Sequence, residues 1–121
     1  MTSRRLTRHQ RVRRHSEFQR VFEGGYRISS RYFTLVLAPS ESSSTRLGIV
    51  ASRKIGDAVH RNRAKRLIRE LFRHLDVPSS ATDVVVIPRR ELFDAPFVDL
   101  ERDFRAAWRR AASRVQPAHA G

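Results

Sequence analysis

The sequence predicts an α/β (α+β) two-layer sandwich, in which three helices pack on a mixed central sheet of about four strands in the order α-β-β-β-α-β-α. Residues 46–88 read as strand, helix and strand, an order typical of a mixed sheet covered by helices. The helix of that unit repeats its apolar residues at a period of about 3.6, whereas residues 32–38 alternate at a period of two. The 121 residues suit one domain with one core.

The chain is predicted to begin with a basic flexible arm over residues 1–14, which could order on a nucleic acid or remain idle. A single domain then covers residues 15–116, and residues 117–121 form a disordered tail. The first helix is predicted to begin after Ser16 as N-cap and to stop at Gly24 and Gly25. The arm owes its charge to Arg4, Arg5, Arg8, Arg11, Arg13 and Arg14.

Three strands are predicted between the first and second helices. Residues 26–29 form a short edge strand, residues 32–38 a second strand and residues 46–53 a third. In the second strand Phe33, Leu35 and Leu37 face one side of the sheet, and Tyr32, Thr34 and Val36 face the other. Pro39 and the polar residues 40–45 are predicted to form a turn.

The remaining elements are two helices and one strand. Asp57 can cap a long helix that runs to about His74, and Pro96 can open a last helix. Residues 83–88 contain a continuous apolar run, which is typical of a strand buried on both faces. The apolar stripe of the last helix comprises Phe97, Leu100, Phe104, Ala107, Trp108, Ala111 and Val115. Trp108 is therefore interpreted as a core residue rather than a platform for a stacked base.

The long helix has one apolar face and one cationic face. At about 100° per residue, Ala64, Leu67, Ile68, Leu71 and Leu75 share the face predicted to pack on the sheet. Opposite them fall Asn62, Arg66, Arg69 and Arg73, with Lys65 beside them and Arg61 and Arg63 on the flanks. Like charges at this spacing destabilise an isolated helix, so they indicate a partner that neutralises them. Two alternatives to such a partner remain open. The face could be solvated only, or Arg61 or Arg63 could form an internal ion pair with Glu70 or Asp57.

The net charge of +13 points to a polyanionic partner. Residues 1–74 hold 18 Lys or Arg against 5 Asp or Glu, whereas residues 75–121 hold 7 against 7. This asymmetry favours a located binding surface, on which arginine suits phosphate through paired hydrogen bonds. Because such a surface suits RNA and DNA alike, a ribosomal or architectural nucleic-acid-binding protein is the alternative hypothesis.

Several classes of function are disfavoured. The absence of cysteine excludes disulfides and thiolate chemistry. No apolar run approaches a membrane span, and no apolar stretch follows the basic N-terminus, so we expect a cytoplasmic protein with no membrane partner. The histidines show no metal-ligand spacing, and no nucleophile–base pair is evident. We therefore predict no catalytic and no metal-binding residues in the chain itself.

One segment resembles a known family motif residue by residue, which periodicity and charge alone do not show. Arg46-Leu47-Gly48-Ile49 leads through Ser52-Arg53-Lys54-Ile55-Gly56-Asp57-Ala58-Val59-His60 into Arg61-Asn62-Arg63-Ala64-Lys65-Arg66-Leu67-Ile68-Arg69-Glu70. This segment closely resembles the motif of the bacterial ribonuclease P protein family, and Phe18-Gln19-x-Val21-Phe22 resembles that family's first helix. Arg53 stands where the family usually has lysine, and Ala64 replaces a larger aliphatic residue.

The resemblance implies a left-handed strand–helix–strand crossover, an exception to the usual hand. It also implies a protein that assists a catalytic RNA, which with its Mg²⁺ ions removes the 5′ leader of precursor tRNA. One protein would serve each RNA, and the protein alone would be inactive. The implied contacts to the catalytic RNA are Arg53, Lys54, Arg61, Asn62, Arg63, Lys65, Arg66 and Arg69. The implied leader cleft is lined by Phe18, Phe22, Thr34 and Val36, although both phenylalanines could merely dock the helix on the sheet.

Overall fold

The computed structural model describes residues 11–12, 14–40, 44–75 and 81–115, and it confirms the predicted order of elements. The helices are α1 (His15–Gly24), α2 (Ala58–Arg73) and α3 (Phe97–Ala112). The strands are β1 (Tyr26–Ser29), β2 (Phe33–Pro39), β3 (Arg46–Ile49) and β4 (Thr82–Pro88). Two short 3₁₀ helices, Arg53–Ile55 and Arg90–Asp94, precede α2 and α3. Within the described residues, no helix is long and apolar enough to cross a membrane.

The sheet is mixed, with strand order β1-β2-β4-β3. β2 pairs antiparallel with β1 and with β4, while β3 and β4 are parallel neighbours joined through α2. A parallel pair needs such a crossover, because a tight turn cannot bring the chain back to the same end of the sheet. The left hand of this crossover stays a prediction of the resemblance.

The main core lies between the sheet and the two long helices. Phe33, Leu35 and Leu37 of β2 are buried there, as predicted, together with the apolar stripes of α2 and α3. Trp108 is 5% exposed, which confirms its place in the core. The helix stripe is predictable because apolar residues about 3.6 apart must share one buried side.

The opposite sheet face is partly covered by α1. Val21 of α1 is buried against Val36 and Ala38 of β2 and Val85 of β4, and Phe18 packs on their margin. A central strand with cores on both sides must be apolar at successive positions, which explains the continuous run in β4. Val84, Val85 and Val86 all have no exposed surface.

Helix α1 is held to the sheet by ion pairs around a buried carboxylate as well as by packing. Asp83 of β4 has no exposed surface, and its carboxylate accepts hydrogen bonds from Arg46 at 2.9 and 2.8 Å. Arg20 of α1 donates to the same carboxylate at 2.5 Å, and Arg46 also donates to Glu17 of α1 at 2.9 Å. The hydrogen bonds with Asp83 raise the pKa of Arg46 despite the opposing effect of burial.

Three local predictions are wrong. Helix α1 begins at His15, two residues earlier than a Ser16 cap allows, because the Glu17 carboxylate accepts from the N–H of Arg14 at 3.0 Å and satisfies that end. Pro39 belongs to β2 rather than to the turn, in register with Thr82 at the strand's last position. Strand β3 ends at Ile49, because the chain then turns into the 3₁₀ helix that Ser52 caps.

The boundary of the predicted arm at residue 14 is also placed too late. Arg11 forms a parallel bridge with Leu47 of β3, and the N–H of Val12 donates to the Leu47 carbonyl at 2.9 Å. Val12 is buried. The free edge of β3 offers unpaired backbone groups, so a neighbouring extended segment gains hydrogen bonds by lying along it.

Candidate nucleic-acid interface

The start of α2 is fixed by a glycine turn and a side-chain cap. Gly56 has a φ of 136°, a conformation that favours glycine, and an added Cβ would lie 2.8 Å from the Cβ of His60. Asp57 accepts from the His60 backbone at 3.1 Å and from the His60 ring nitrogen Nδ1 at 2.8 Å. These hydrogen bonds, chiefly that of the ring, lower the pKa of Asp57. The cap confirms the predicted start and orients the cationic face.

The residues that the resemblance implies for RNA contact do lie together on and before α2, but their exposure differs. Arg53, Lys54, Asn62, Arg63 and Arg66 are exposed, whereas Arg61, Lys65 and Arg69 are half-buried. The placement of Arg69 opposite the apolar face, beside Arg66, predicts equal exposure of the two arginines, and the half-burial of Arg69 shows that this prediction is wrong. Burial, and next the charge of Arg11, lower the pKa of Arg69.

The acids considered as internal partners of Arg61 and Arg63 pair with other residues. Glu70 pairs with Arg73 and, at 3.2 Å, with His74, while Asp57 pairs with His60. Arg61 instead donates to the Gly56 carbonyl at 3.2 Å. The guanidinium of Arg63 lies over the ring of Phe93, 5.7 Å from its centre. Neither arginine is neutralised by the carboxylates proposed from the sequence.

A basic recess joins the cationic face of α2 to helix α1. It has a volume of about 340 Å³, and Arg11, Lys65 and Arg69 line it together with Phe18 and Gly48. Three cations around a partly apolar hollow suit a phosphate group, because each can donate charge-assisted hydrogen bonds. Arg11 was missed as a site residue; its sequence signal was Val12, a β-branched residue in an otherwise polar stretch.

Beyond the recess, the predicted leader cleft falls on the sheet face beside α1. Phe18 sits directly over Gly48, where an added Cβ would lie 2.8 Å from its ring, and Phe22 is 37% exposed. Thr34 is buried, with its hydroxyl 3.2 Å from Ser29 and 3.4 Å from Nη2 of Arg89.

Val36 does not line this cleft. It is 1% exposed beneath α1, so its predicted place in the cleft is wrong, because the helix covers that row of the sheet. The half-buried Val50 and Ile87 pack at the edge of the same cluster. These two residues, which sequence reasoning missed, are apolar surface that α1 leaves partly uncovered.

A cationic helix face, a basic recess and the exposed ring of Phe22 follow one another on this molecule, and this combination is typical of a nucleic-acid-binding protein. The ribonuclease P family profile matches residues 6–112. The ribonuclease P protein component of Chloroflexus aggregans is 36% identical over 115 residues, which are 93% of this chain and 84% of that protein. That of Halalkalibacterium halodurans is 38% identical over 94 residues, 76% of this chain and 79% of that protein.

Solved structures agree with the sequence relatives. The ribonuclease P protein of Thermotoga maritima superposes with a TM-score of 0.74 at 32% identity, covering 83% of this chain and 96% of that one. The ribonuclease P protein of Staphylococcus aureus superposes with a TM-score of 0.75 at 31% identity, covering 84% of this chain and 94% of that one. The chain therefore belongs to the family of bacterial ribonuclease P protein components. It is a subunit of a ribonucleoprotein endoribonuclease of tRNA processing, in partnership with the ribonuclease P RNA, and the ribosomal or architectural alternative is not favoured.

Proposed function

We propose that α2 and its preceding loop bind the catalytic RNA, while the cleft beside α1 binds the single-stranded 5′ leader of precursor tRNA. The protein would thereby help the RNA to remove the leader. The observation that carries this proposal is the continuity of the cationic face with the basic recess and with α1, where Phe18 lines the recess and Phe22 is exposed one turn further along.

The helix is suited to backbone contacts with a folded RNA. Its exposed Arg66 and Asn62 lie opposite the buried Ala64 and Ile68, so cations can meet phosphates without disturbing the core. Neutralising phosphates releases condensed counterions, which makes such binding strong at low salt. Arg11 and the half-buried Arg69 extend this surface into the recess.

The cleft is suited to a single strand. Exposed aromatic rings stack on bases with little regard to sequence, and each stacked base contributes about 1–3 kcal/mol. Phe22 offers such a ring, while Arg27 of β1 and Arg89 after β4 are exposed cations for the strand's phosphates. Tolerance of sequence is what a leader site needs when leaders differ between precursors.

The proposal assigns the hydrolysis to the RNA and its Mg²⁺ ions, with the protein inactive alone. Mg²⁺ is bound mainly by oxygen ligands, including phosphates. Among the described residues no three His, Asp or Glu side chains gather as a metal-binding group. One protein would bind each RNA, in the cytoplasm. The residues of this chain would position the leader and the RNA.

The leader site is tested by comparing precursor tRNA with mature tRNA as ligands of the reconstituted holoenzyme. Phe22→Ala should weaken binding of the precursor by at least about fivefold and leave mature tRNA unaffected. Tyr26→Ala is the matched control: Tyr26 is also 37% exposed, but it pairs with Leu37 and so lies on the opposite sheet face. An equal effect of the two variants, or an equal loss with mature tRNA, would refute the leader site.

A further inference from the structure

A second hollow lies at the other side of the α2 N-terminus from the basic recess, and it shares only Arg63 with the cationic face. It has a volume of about 540 Å³ and lies between the first turns of α2 and the 3₁₀ helix Arg90–Asp94. Its lining includes His60, Arg63, Arg90, Glu91, Phe93 and Asp94. The hollow therefore combines two guanidinium groups, two carboxylates, an imidazole and the ring of Phe93.

The aromatic part of this hollow is held in place. The His60 ring meets the Phe93 ring edge to face, with centres 5.4 Å apart at 76°, and Asp57 fixes His60 through its Nδ1. Arg63 covers the Phe93 ring at 5.7 Å. Behind Phe93, the neighbouring Leu92 is buried and its N–H donates to the Arg89 carbonyl at 3.1 Å, so the segment is anchored in the core.

The combination of groups matches a nucleotide better than a simple anion. A phosphate alone would meet the negative charges of Glu91 and Asp94, both of which are exposed. An unpaired base can instead stack on an aromatic ring or a guanidinium plane. Its amino or ring N–H groups can donate to a carboxylate, as cytosine N4 does to Asp or Glu. Arg90 then remains for the phosphate of the same nucleotide.

We propose that this hollow binds one unpaired nucleotide of the ribonuclease P RNA, with its base stacked against the Arg63–Phe93 pair and hydrogen-bonded to Glu91 or Asp94. The inference rests on the proposed function of α2, because Arg63 belongs to both surfaces. It extends the RNA interface from the backbone contacts of a helix to the recognition of a base. It also makes the 3₁₀ helix before α3 part of that interface.

The first test is the affinity of the full-length protein for the ribonuclease P RNA encoded in the same genome. Phe93→Leu removes the aromatic face but keeps most of the apolar volume, so it should weaken binding at least about fivefold with little change in melting temperature. Phe97→Leu is the matched control, since Phe97 is also half-buried and meets a histidine, His74, edge to face at 6.0 Å. Phe97→Leu should bind like the unchanged protein.

The second measurement is chemical probing of the RNA at single-nucleotide resolution in each complex. One unpaired nucleotide should be protected by the unchanged protein and return to its free reactivity with Phe93→Leu, while the rest of the footprint persists. Arg90→Gln, at an exposed position, should expose the same nucleotide. If both variants bind normally and leave every protection in place, the hollow is no nucleotide site.

Failure of this inference differs from failure of the proposed function. Arg66→Ala, on the exposed face of α2, serves as the reference variant in the same assay. If Arg66→Ala weakens binding and Phe93→Leu does not, only the nucleotide site is overturned. If the unchanged protein binds this RNA no better than an unrelated RNA of equal length, the proposed function itself fails and the nucleotide site fails with it.

Discussion

The absence of a side chain at Gly48 is what lets Phe18 and Val12 meet on β3. An added Cβ would lie 2.8 Å from the Phe18 ring and 2.9 Å from the Cβ of Val12. Real side chains do not approach so closely, so one neighbour would have to move. Because Phe18 lines both the recess and the margin of the cleft, a small change at Gly48 reaches both parts of the interface.

Gly48→Ala should therefore lower the free energy of unfolding by about 1–3 kcal/mol, the usual effect of overpacking a filled site. Urea unfolding followed by circular dichroism measures this. The control is Gly24→Ala at the end of α1, where no atom lies within 4 Å of an added Cβ. That control should leave stability unchanged or raise it by up to about 1 kcal/mol. Equal stability of the two variants would show that Phe18 and Val12 do not depend on Gly48.

Two arginines of the cationic face also differ in how far their side chains are exposed to solvent. Arg66 is exposed and Arg69 is half-buried in the recess, so only Arg66 reports on RNA contact without a structural contribution. Arg66→Ala should reduce the slope of the logarithm of the RNA-binding constant against the logarithm of the salt concentration by about one. Its free energy of unfolding should stay within about 0.5 kcal/mol of that of the unchanged protein. Binding titrations at several salt concentrations measure the slope.

The control for this prediction is Arg102→Ala. The Arg102 side chain is 76% exposed, and it lies on α3, in the charge-balanced part of the chain. Arg102→Ala should leave the slope of the salt dependence unchanged. If Arg102→Ala and Arg66→Ala lower the slope equally, RNA binding follows total charge rather than the face of α2.

At the scale of the elements, α1 is attached to the sheet by an ionic cluster that no sequence pattern revealed. Asp83, Arg46, Arg20 and Glu17 come from β4, β3 and α1, far apart in the chain. A buried carboxylate is stable only when it is fully paired. The position of α1, and with it one wall of the cleft, therefore depends on charges as well as on the buried Val21.

Asp83→Asn should destabilise the fold by about 3 kcal/mol or more, because it leaves two arginines beside a neutral amide. The matched control is Asp99→Asn, which removes an exposed pair whose nearest atoms are 3.7 Å apart, and it should cost less than about 1 kcal/mol. Denaturant unfolding of both variants gives the comparison. Similar values for the two would mean that the buried cluster contributes no more than a surface pair.

The elements themselves were largely predictable, and the reasons are local. Asp57 caps an amphipathic run and so marks the start of α2, and the continuous valines mark β4. Both elements therefore lie where the sequence predicts them. The pairing of Arg11 and Val12 with β3 was not predictable, because it depends on which edge strand of the sheet has unpaired backbone groups. The burial of Val36 was likewise invisible, since only the docking of α1 decides which outward positions remain open.

At the scale of the whole molecule, the surface is organised along one path. The exposed arginines of α2 lead to the recess at Arg69 and Arg11, and the recess leads to Phe18 and the exposed Phe22 of α1. The charge of the chain is concentrated in its first 74 residues, which supply most of this path. The proposed function assigns to this path the positioning of two RNAs rather than the supply of reacting groups.

The most direct test of this account is cleavage of precursor tRNA at limiting Mg²⁺, with the protein alone, the ribonuclease P RNA alone, and both together. We predict no cleavage by the protein, weak cleavage by the RNA, and efficient leader removal only when both are present. Cleavage by the protein alone would reveal a catalytic centre within the chain. An RNA whose cleavage the protein does not stimulate would contradict the proposed role in positioning the leader.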